Sequence, residues 1–385
     1  MRVVVACPSL NSQGGAERLC MYLIKALKSR NYDVKLITLD RTNWTLLERI
    51  FGESFKPDKE TYLFSKLPRI PTVTLRQAFV ALTYLFSLSW TVSRRKYDLL
   101  INMRGEIVNS IGDLIYINAV PLGLMHRYPQ IKPKQGGQWG PYSRIYAFLV
   151  RFLRNGDNTI VTNSNFTRGI IEANLQKKAL VVHPGIELNN IIASGGNQAR
   201  ENVVITVSRF RFAKGLEIIP KISQSVRSAR FTLIGISDDA SQECLKQISR
   251  LATGAGVQDR IQIFDNMPFG FILGNLLVAK IFLHTQAMEA FGMAIVEAMA
   301  AGCVPVVPRD GGPWFDILEG KEGVYGFSYG SISEAAQKIR MLLENDELRT
   351  EVSARARRRA TDFDSSVFES EILRLVKKVC SRKFE

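Results

Sequence analysis

The chain has 385 residues and a formal net charge of +15, from 51 Lys+Arg against 36 Asp+Glu, and at about 100–200 residues per domain two domains are expected. Hydrophobic residues at 46% and charged residues at 23% supply a large core and exclude wholesale disorder, while 28 Gly and 14 Pro exclude collagen-like and linker-type chains. The five cysteines (Cys7, Cys20, Cys244, Cys303, Cys380) form no CxxC pair and there are three histidines, so neither a disulfide scaffold nor a zinc site is expected, and a reducing cytosol is the default compartment.

The first ten residues, MRVVVACPSL, lack the length and cleavage site of a signal peptide and read as a buried strand over 3–6. Gly14 and Gly15 follow, then a helix over about 16–29 and a strand over 33–38. Paired glycines allow close backbone approach, and a helix N-terminus offers N–H groups to an anion or to sugar hydroxyls. The pair is not GxGxxG, so a nicotinamide dinucleotide fingerprint is absent; alone it is no more than a tight connection. Residues 77–93 are uncharged and are followed by Arg94, Arg95 and Lys96. This stretch, diluted by Gln77, Thr83, Ser87, Ser89 and Ser93, sits at the lower limit for spanning a bilayer. It reads as a buried core helix, with membrane contact as the alternative.

Strands are expected over 97–102, 114–118 and 158–162. Between the last two, residues 142–154 set Arg144, Arg151 and Arg154 in an aromatic and aliphatic pattern, as in a basic amphipathic helix lying on an anionic membrane surface; packing of its apolar face in the core is the alternative. A short strand over 179–183 precedes Pro184-Gly185, and residues 193–200 are the best linker signal. A second series of strands, over 203–208, 230–235, 261–264, 281–284 and 304–308, has helices between. Two successive β/α series predict an α/β architecture of two doubly wound, Rossmann-like domains facing across a cleft. Arg355, Arg357, Arg358 and Arg359 lie on a late helix and read as a solvated face. The positive charge suits nucleic acid, an anionic membrane or a phosphorylated substrate. No zinc finger, RNP-type aromatic pattern or basic helix with heptads accompanies it, so no nucleic acid is expected.

Arg209 and Lys214 emerge just past the first strand of the second series, where two cations can neutralise a diphosphate. Two basic residues after a strand are commonplace, and a surface role is the bland reading. Glu289 and Glu297 are eight apart and straddle Phe291-Gly292 at the start of an apolar helix. The first carboxylate is placed to accept hydrogen bonds from sugar hydroxyls. The second, about a turn into the helix, is placed to clasp a ribose diol. The N–H groups near Gly292 and Met293 can receive a phosphate. An ordinary capped helix with an early Glu is the alternative.

Taken together these residues resemble the retaining GT-B glycosyltransferases of glycosyltransferase family 4, which carry a Glu-x7-Glu motif. The resemblance runs nearly the whole length: Gly14-Gly15-Ala-Glu-Arg18 is similar to the first-domain glycine loop, Asn163 to Thr167 to an Asn-Ser-x-x-Thr segment, Arg209 and Lys214 to the diphosphate-binding pair, and Glu289 through Glu297 to the signature. His284-Thr285, the segment 292–305 and Gly311-Gly312-Pro313 resemble more narrowly the α-1,2-mannosyltransferases of lipid-linked oligosaccharide assembly.

The resemblance implies an N-terminal acceptor and membrane-facing domain over 1–190, on which a last helix over 364–385 packs back, and a nucleotide-sugar domain over 191–363. It implies transfer of mannose from GDP-mannose to a dolichyl- or polyprenyl-diphosphate-linked glycan at the cytosolic membrane face. Carried over, Arg209 and Lys214 bind the diphosphate, Glu289 the sugar, Glu297 the ribose, and backbone at Phe291, Gly292 and Met293 positions sugar and phosphate. Gly14 and Gly15 border acceptor and phosphates, and Asn266 and Met267 neighbour the base. Asn118 stands where many members have a His; an amide can hold a hydroxyl but cannot act as a general base. His126 is nearby in sequence.

With no carboxylate nucleophile evident, retention implies front-face departure and attack, the leaving diphosphate taking the acceptor proton. Protein cations supply the charge stabilisation, so no metal or other cofactor is expected. A family 4 transferase using UDP-GlcNAc or UDP-glucose, a GT-B epimerase or phosphorylase, and a non-catalytic basic membrane or nucleic-acid-binding protein remain as alternatives.

Overall fold

The computed structural model describes residues 1–68, 70, 73–94, 96–104, 111–120, 158–195, 199–238 and 241–384. The expected amphipathic helix over 142–154 and His126 lie outside them. The chain gathers into two compact units, one of Met1–Gly185 with Ser366–Glu385 and one of Ile186–Ser365. The polar stretch 193–200 falls inside the second unit, where a short helix runs over Asn189–Ser194, after the division at Gly185 rather than at it.

The first unit is built on seven strands: β1 (Arg2–Ala6), β2 (Asp33–Asp40), β3 (Lys59–Phe64), β4 (Leu99–Asn102), β5 (Leu114–Ile117), β6 (Thr159–Thr162) and β7 (Ala179–Val181). Their order is β3-β2-β1-β4-β5-β6-β7, every pair parallel. β1, β4 and β5 are near-continuous buried runs of Val, Leu and Ile, as a sheet covered on both faces requires. Edge strand β3 is largely exposed, with Tyr62 and Leu63 on the surface.

Helix α1 (Gly15–Lys28) starts at Gly14, whose N–H is held by the Glu17 carboxylate at 2.8 Å. Helix α2 (Val73–Arg94) corrects the expectation of a buried core helix. Tyr84, Ser87 and Leu88 are buried, while Leu75, Leu82, Phe86 and Trp90 are 54–67% exposed. It lies near one edge of the sheet, packed on β2, and so hides only one side. No helix among the described residues is long and apolar enough to cross a membrane.

Helix α3 (Asn165–Leu175) begins at Ser164, whose hydroxyl accepts from Thr167 N at 3.0 Å; the Asn-Ser-x-x-Thr segment is thus a helix cap. The last helix, Ser365–Phe384, closes the first unit. Phe368, Ile372, Val376 and Val379 recur on one buried face, and Ser29 donates to Glu369 across it. All five cysteines are free.

The second unit carries β8 (Glu201–Arg209), β9 (Arg230–Ile236), β10 (Ile261–Asp265), β11 (Ala279–Leu283), β12 (Val304–Pro308) and β13 (Phe327–Tyr329) in the order β10-β9-β8-β11-β12-β13, again all parallel. Helix α4 (Met293–Ala301), followed by Gly302, is almost wholly buried, in a core with Phe282, Phe291, Trp314 and Phe363. Helix α5 (Asp346–Ala360) packs against it.

The arginines of α5 are not the expected solvated face. Arg355 donates to Val324 O at 2.8 Å, Arg357 to Ala301 O at 3.3 Å and Arg359 to Asp316 O at 2.8 Å; of the four, only Arg358 is exposed. At the buried end of α4, Arg357 shares the Ala301 carbonyl with Arg200, which also donates to Ala279 O, and Ser353 donates to Gly302 O at 2.7 Å, so these orphan carbonyls are satisfied. Where the chain enters and leaves this unit, Ile186 N donates to Phe363 O at 3.0 Å and Ser365 N to Ile186 O at 2.9 Å.

Candidate functional site

In a parallel sheet all strand C-termini share one edge. In the second sheet the chain runs from β8 outward through β9 and β10, then returns to β11 on the other side of β8. The gap between β8 and β11 is therefore the topological switch point, where open α/β sheets bind ligands. The loops leaving these strands are Arg209 to Gly215 and His284 to Gly292, and Thr206 Oγ1 ties the strands by donating to Leu283 O at 2.7 Å.

The two loops bring Lys214 and Glu289 together: Lys214 Nζ lies 2.7 Å from Glu289 Oε2, the side chains 19% and 17% exposed. Thr285 Oγ1 donates to Lys214 O at 2.7 Å. Gly215 makes the approach possible; it has φ +67°, and a Cβ there would stand 2.6 Å from Thr285 O. Glu289 is held from behind by the loop after β12. Gly312 N donates to Glu289 O at 2.8 Å, and Met288 N, on a left-handed residue, donates to Asp310 Oδ1 at 2.8 Å. At Gly311 (φ +71°) a Cβ would lie 2.7 Å from Glu289 O.

Burial of Glu289 favours its neutral form, but the Lys214 ammonium, with His284 and the Ala290 N–H, overcomes this and holds the carboxyl down at about 2. His284 Nε2 stands 3.9 Å from Glu289 Oε2, beyond hydrogen-bond reach. Burial, reinforced by Lys214 and opposed by Glu289, lowers His284 to about 4. At neutral pH the cluster is therefore one cation, one carboxylate and a neutral imidazole. Such a cluster can meet a phosphate with its ammonium and sugar hydroxyls with its carboxylate.

The other residues of the second unit fall around the same edge. Arg209 ends β8 with an exposed side chain and, among the described residues, no ion pair or side-chain hydrogen bond. Gly292, at φ +101°, starts α4, and Met293 is its first residue. Phe291 is 2% exposed and meets Phe363 edge-on at 5.3 Å, so its ring is part of the core. Glu297, in the second turn of α4, is buried. Asn266, left-handed at φ 54°, follows β10. Its side chain accepts from Ser237 N at 3.1 Å and donates to Ser237 Oγ at 2.9 Å, joining the ends of β9 and β10, while Met267 packs partly buried on the core.

In the first unit, Gly14 and Gly15 follow β1 at that sheet's own switch point, between β1 and β4. Gly14 has φ −104°, a conformation open to any residue. Asn118, just past β5, spends its amide on Met103 O at 3.2 Å, and its own carbonyl accepts from Asn163 Nδ2 at 2.8 Å. Asp310, not singled out in sequence, and Thr285, noted there only as part of the His284-Thr285 resemblance, prove to shape the Lys214 and Glu289 cluster. No group of three or more His, Cys, Asp or Glu side chains gathers among the described residues in a way that could hold a metal ion.

Residues 13–190 match the family model Glycosyltransferase Family 4, and residues 189–359 the model Glycosyl transferases group 1. The human GDP-Man:Man(3)GlcNAc(2)-PP-Dol alpha-1,2-mannosyltransferase is 27% identical over 257 residues, 62% of this chain and 52% of that protein. The chain spans about half the length of the curated relatives of this name that it matches. Among solved structures, sucrose-phosphate synthase from Thermosynechococcus elongatus has TM-score 0.79 at 15% identity, covering 99% of this chain and 100% of that one. Anabaena HepE in complex with UDP-glucose has TM-score 0.71 at 19% identity, covering 98% and 100%. With two parallel Rossmann-like sheets and the two family models in tandem over nearly its whole length, the chain belongs to the GT-B glycosyltransferases.

Proposed function

We propose that this chain is a retaining mannosyltransferase moving mannose from GDP-mannose to a dolichyl- or polyprenyl-diphosphate-linked glycan, working peripherally on the cytosolic face of a membrane. The observation that carries the reading is the Lys214–Glu289 pair at the switch point of the second sheet. The names of relatives matched over about 60% of the chain support donor and acceptor.

In this reading Arg209 and Lys214 bind the donor diphosphate and take up its growing charge as the glycosidic bond breaks. Glu289 accepts hydrogen bonds from mannose hydroxyls, and Glu297 from the ribose. Backbone N–H groups at Gly292 and Met293 add the positive end of α4. Asn266 and Met267 border the base, and Gly14, Gly15 and Asn118 the acceptor. The acceptor oxygen attacks from the face the diphosphate leaves, and the diphosphate oxygen takes its proton, which gives retention without a protein nucleophile. Because Asn118 has no basic nitrogen and its amide is already engaged, the proton is left to the phosphate. Fixed charge supplies the acceleration, and loss of one such donor typically costs about 3–4 kcal/mol in the barrier. Turnover is accordingly expected to survive a chelator.

A thermal-shift screen with GDP-mannose, UDP-GlcNAc and UDP-glucose tests the donor, since a ligand that binds only the folded state raises the midpoint. GDP-mannose is expected to give the largest shift, abolished in Lys214→Met. A larger shift with a UDP-sugar would replace the donor assignment, and an undiminished GDP-mannose shift in Lys214→Met would remove Lys214 from the site.

A further inference from the structure

The outward face of α2 is an apolar surface flanked along one edge by two arginines. Leu75, Leu82, Leu85, Phe86 and Trp90 are all exposed. At roughly 100° per residue they fall within an arc of roughly 140°, opposite the buried Tyr84, Ser87 and Leu88, and run for about 22 Å along the axis. The ring of Trp90 stacks on Phe86 at 6.3 Å, and the Arg94 guanidinium lies 4.4 Å over Trp90. Arg76 and Arg94, both exposed, project at nearly the same angle, beside the Trp90 edge of the arc. The 22 residues of the helix contain no Asp or Glu.

We propose that this face docks the protein on an anionic phospholipid bilayer, with α2 lying in the plane of the interface. Leu82 and Phe86 enter the acyl boundary, Trp90 sits at the headgroup level, and Arg76 and Arg94 meet lipid phosphates. The pattern is that of an interfacial helix: aliphatic and aromatic bulk at the centre, with Trp and cations at the margin. Charge decides between occupants. A second copy meeting this face with its own would set arginines of both copies along one seam with no carboxylate from either helix, whereas an anionic lipid surface complements them. The proposal deepens, and rests on, the peripheral-membrane part of the proposed function; it concerns the first unit and stands apart from the donor site.

The test uses the full chain and co-sedimentation with vesicles of one part phosphatidylglycerol to two parts phosphatidylcholine. The wild type is expected to bind, more weakly in high salt and in pure phosphatidylcholine. The triple variant Leu82→Gln, Phe86→Gln, Trp90→Gln changes only exposed positions and should lose about tenfold or more in affinity while keeping its GDP-mannose thermal shift. Quenching of Trp90 by brominated lipid, absent in Trp90→Phe, gives a second readout that needs no polar helix variant. Equal vesicle binding by wild type and triple variant, no Trp90-dependent quenching, or a wild-type dimer that the triple variant dissociates would each overturn the proposal. Loss of the donor shift with vesicle binding intact would count against the transferase reading alone.

Discussion

Glu289 and His284 both titrate lower in the folded chain than they would unfolded, at about 2 and about 4 against ordinary values of 4.5 and 6.5. A depressed folded value means that the unfolded chain takes up the proton first. The stability these groups contribute is therefore whole above the unfolded value and drains away on acidification. His284 acts between about pH 6.5 and 4, Glu289 between about pH 4.5 and 2. Each full proton corresponds to a slope of about 1.4 kcal/mol per pH unit. Urea unfolding followed from pH 7 to 4.5 should show this slope, and His284→Gln, which cannot titrate, should flatten it. An unchanged slope would mean that His284 is not protonated on unfolding in that window. Lys214 has a double part here: removing its ammonium leaves a half-buried carboxylate without its cation, which is destabilising in its own right. Activity lost in Lys214→Ala must therefore be read beside its stability.

At the scale of elements, the cluster depends on loops that touch backbone to backbone. Gly311→Ala places a Cβ against the Glu289 carbonyl on a left-handed backbone. The conformation alone costs about 1–2 kcal/mol, and relief of the clash moves the loop carrying Glu289. A lowered unfolding midpoint together with a weakened donor shift is expected; a normal donor shift would show that the Glu289 loop tolerates the displacement.

These contacts also mark what could be read beforehand. The parallel strands were legible because β-branched runs such as Val3–Val5 and Val203–Ile205 are buried on both faces, and Lys214 and Glu289 because their neighbours in sequence carry the pattern. Asp310 and the bracing role of Thr285 were not, since the backbone groups they bind belong to other loops along the chain. Edge strand β3, with its mixed and mostly exposed KETYLF, lacks the buried periodicity that betrays a strand, and β13, though buried, is only three residues long and broken by Ser328. The arginines of α5 looked solvated for a like reason: the carbonyls that receive them belong to other segments of the chain. Helix α2 misled in the opposite sense, because apolar composition reports what water disfavours and not which surface is at hand to cover it.

For the whole molecule, the last helix belongs to the first unit although the chain reaches it only after completing the second. Its buried stripe of Phe368, Ile372, Val376 and Val379 is part of the first unit's interior. Truncation after Ser365 should therefore lower the melting of the first unit and leave the second unaffected. In hydrogen exchange, protection would fall over 1–185 and persist over 186–365; equal loss in both, or loss in neither, would contradict this division of labour.

The clasp formed by Ile186, Phe363 and Ser365 has a practical corollary. The incoming and outgoing peptides of the second unit are pinned side by side, so 186–365 behaves as a cassette with both wires at one socket. Exchange of that cassette between family members would need two neighbouring splices, and under the proposed function nucleotide preference would travel with the insert while acceptor preference stayed with the host.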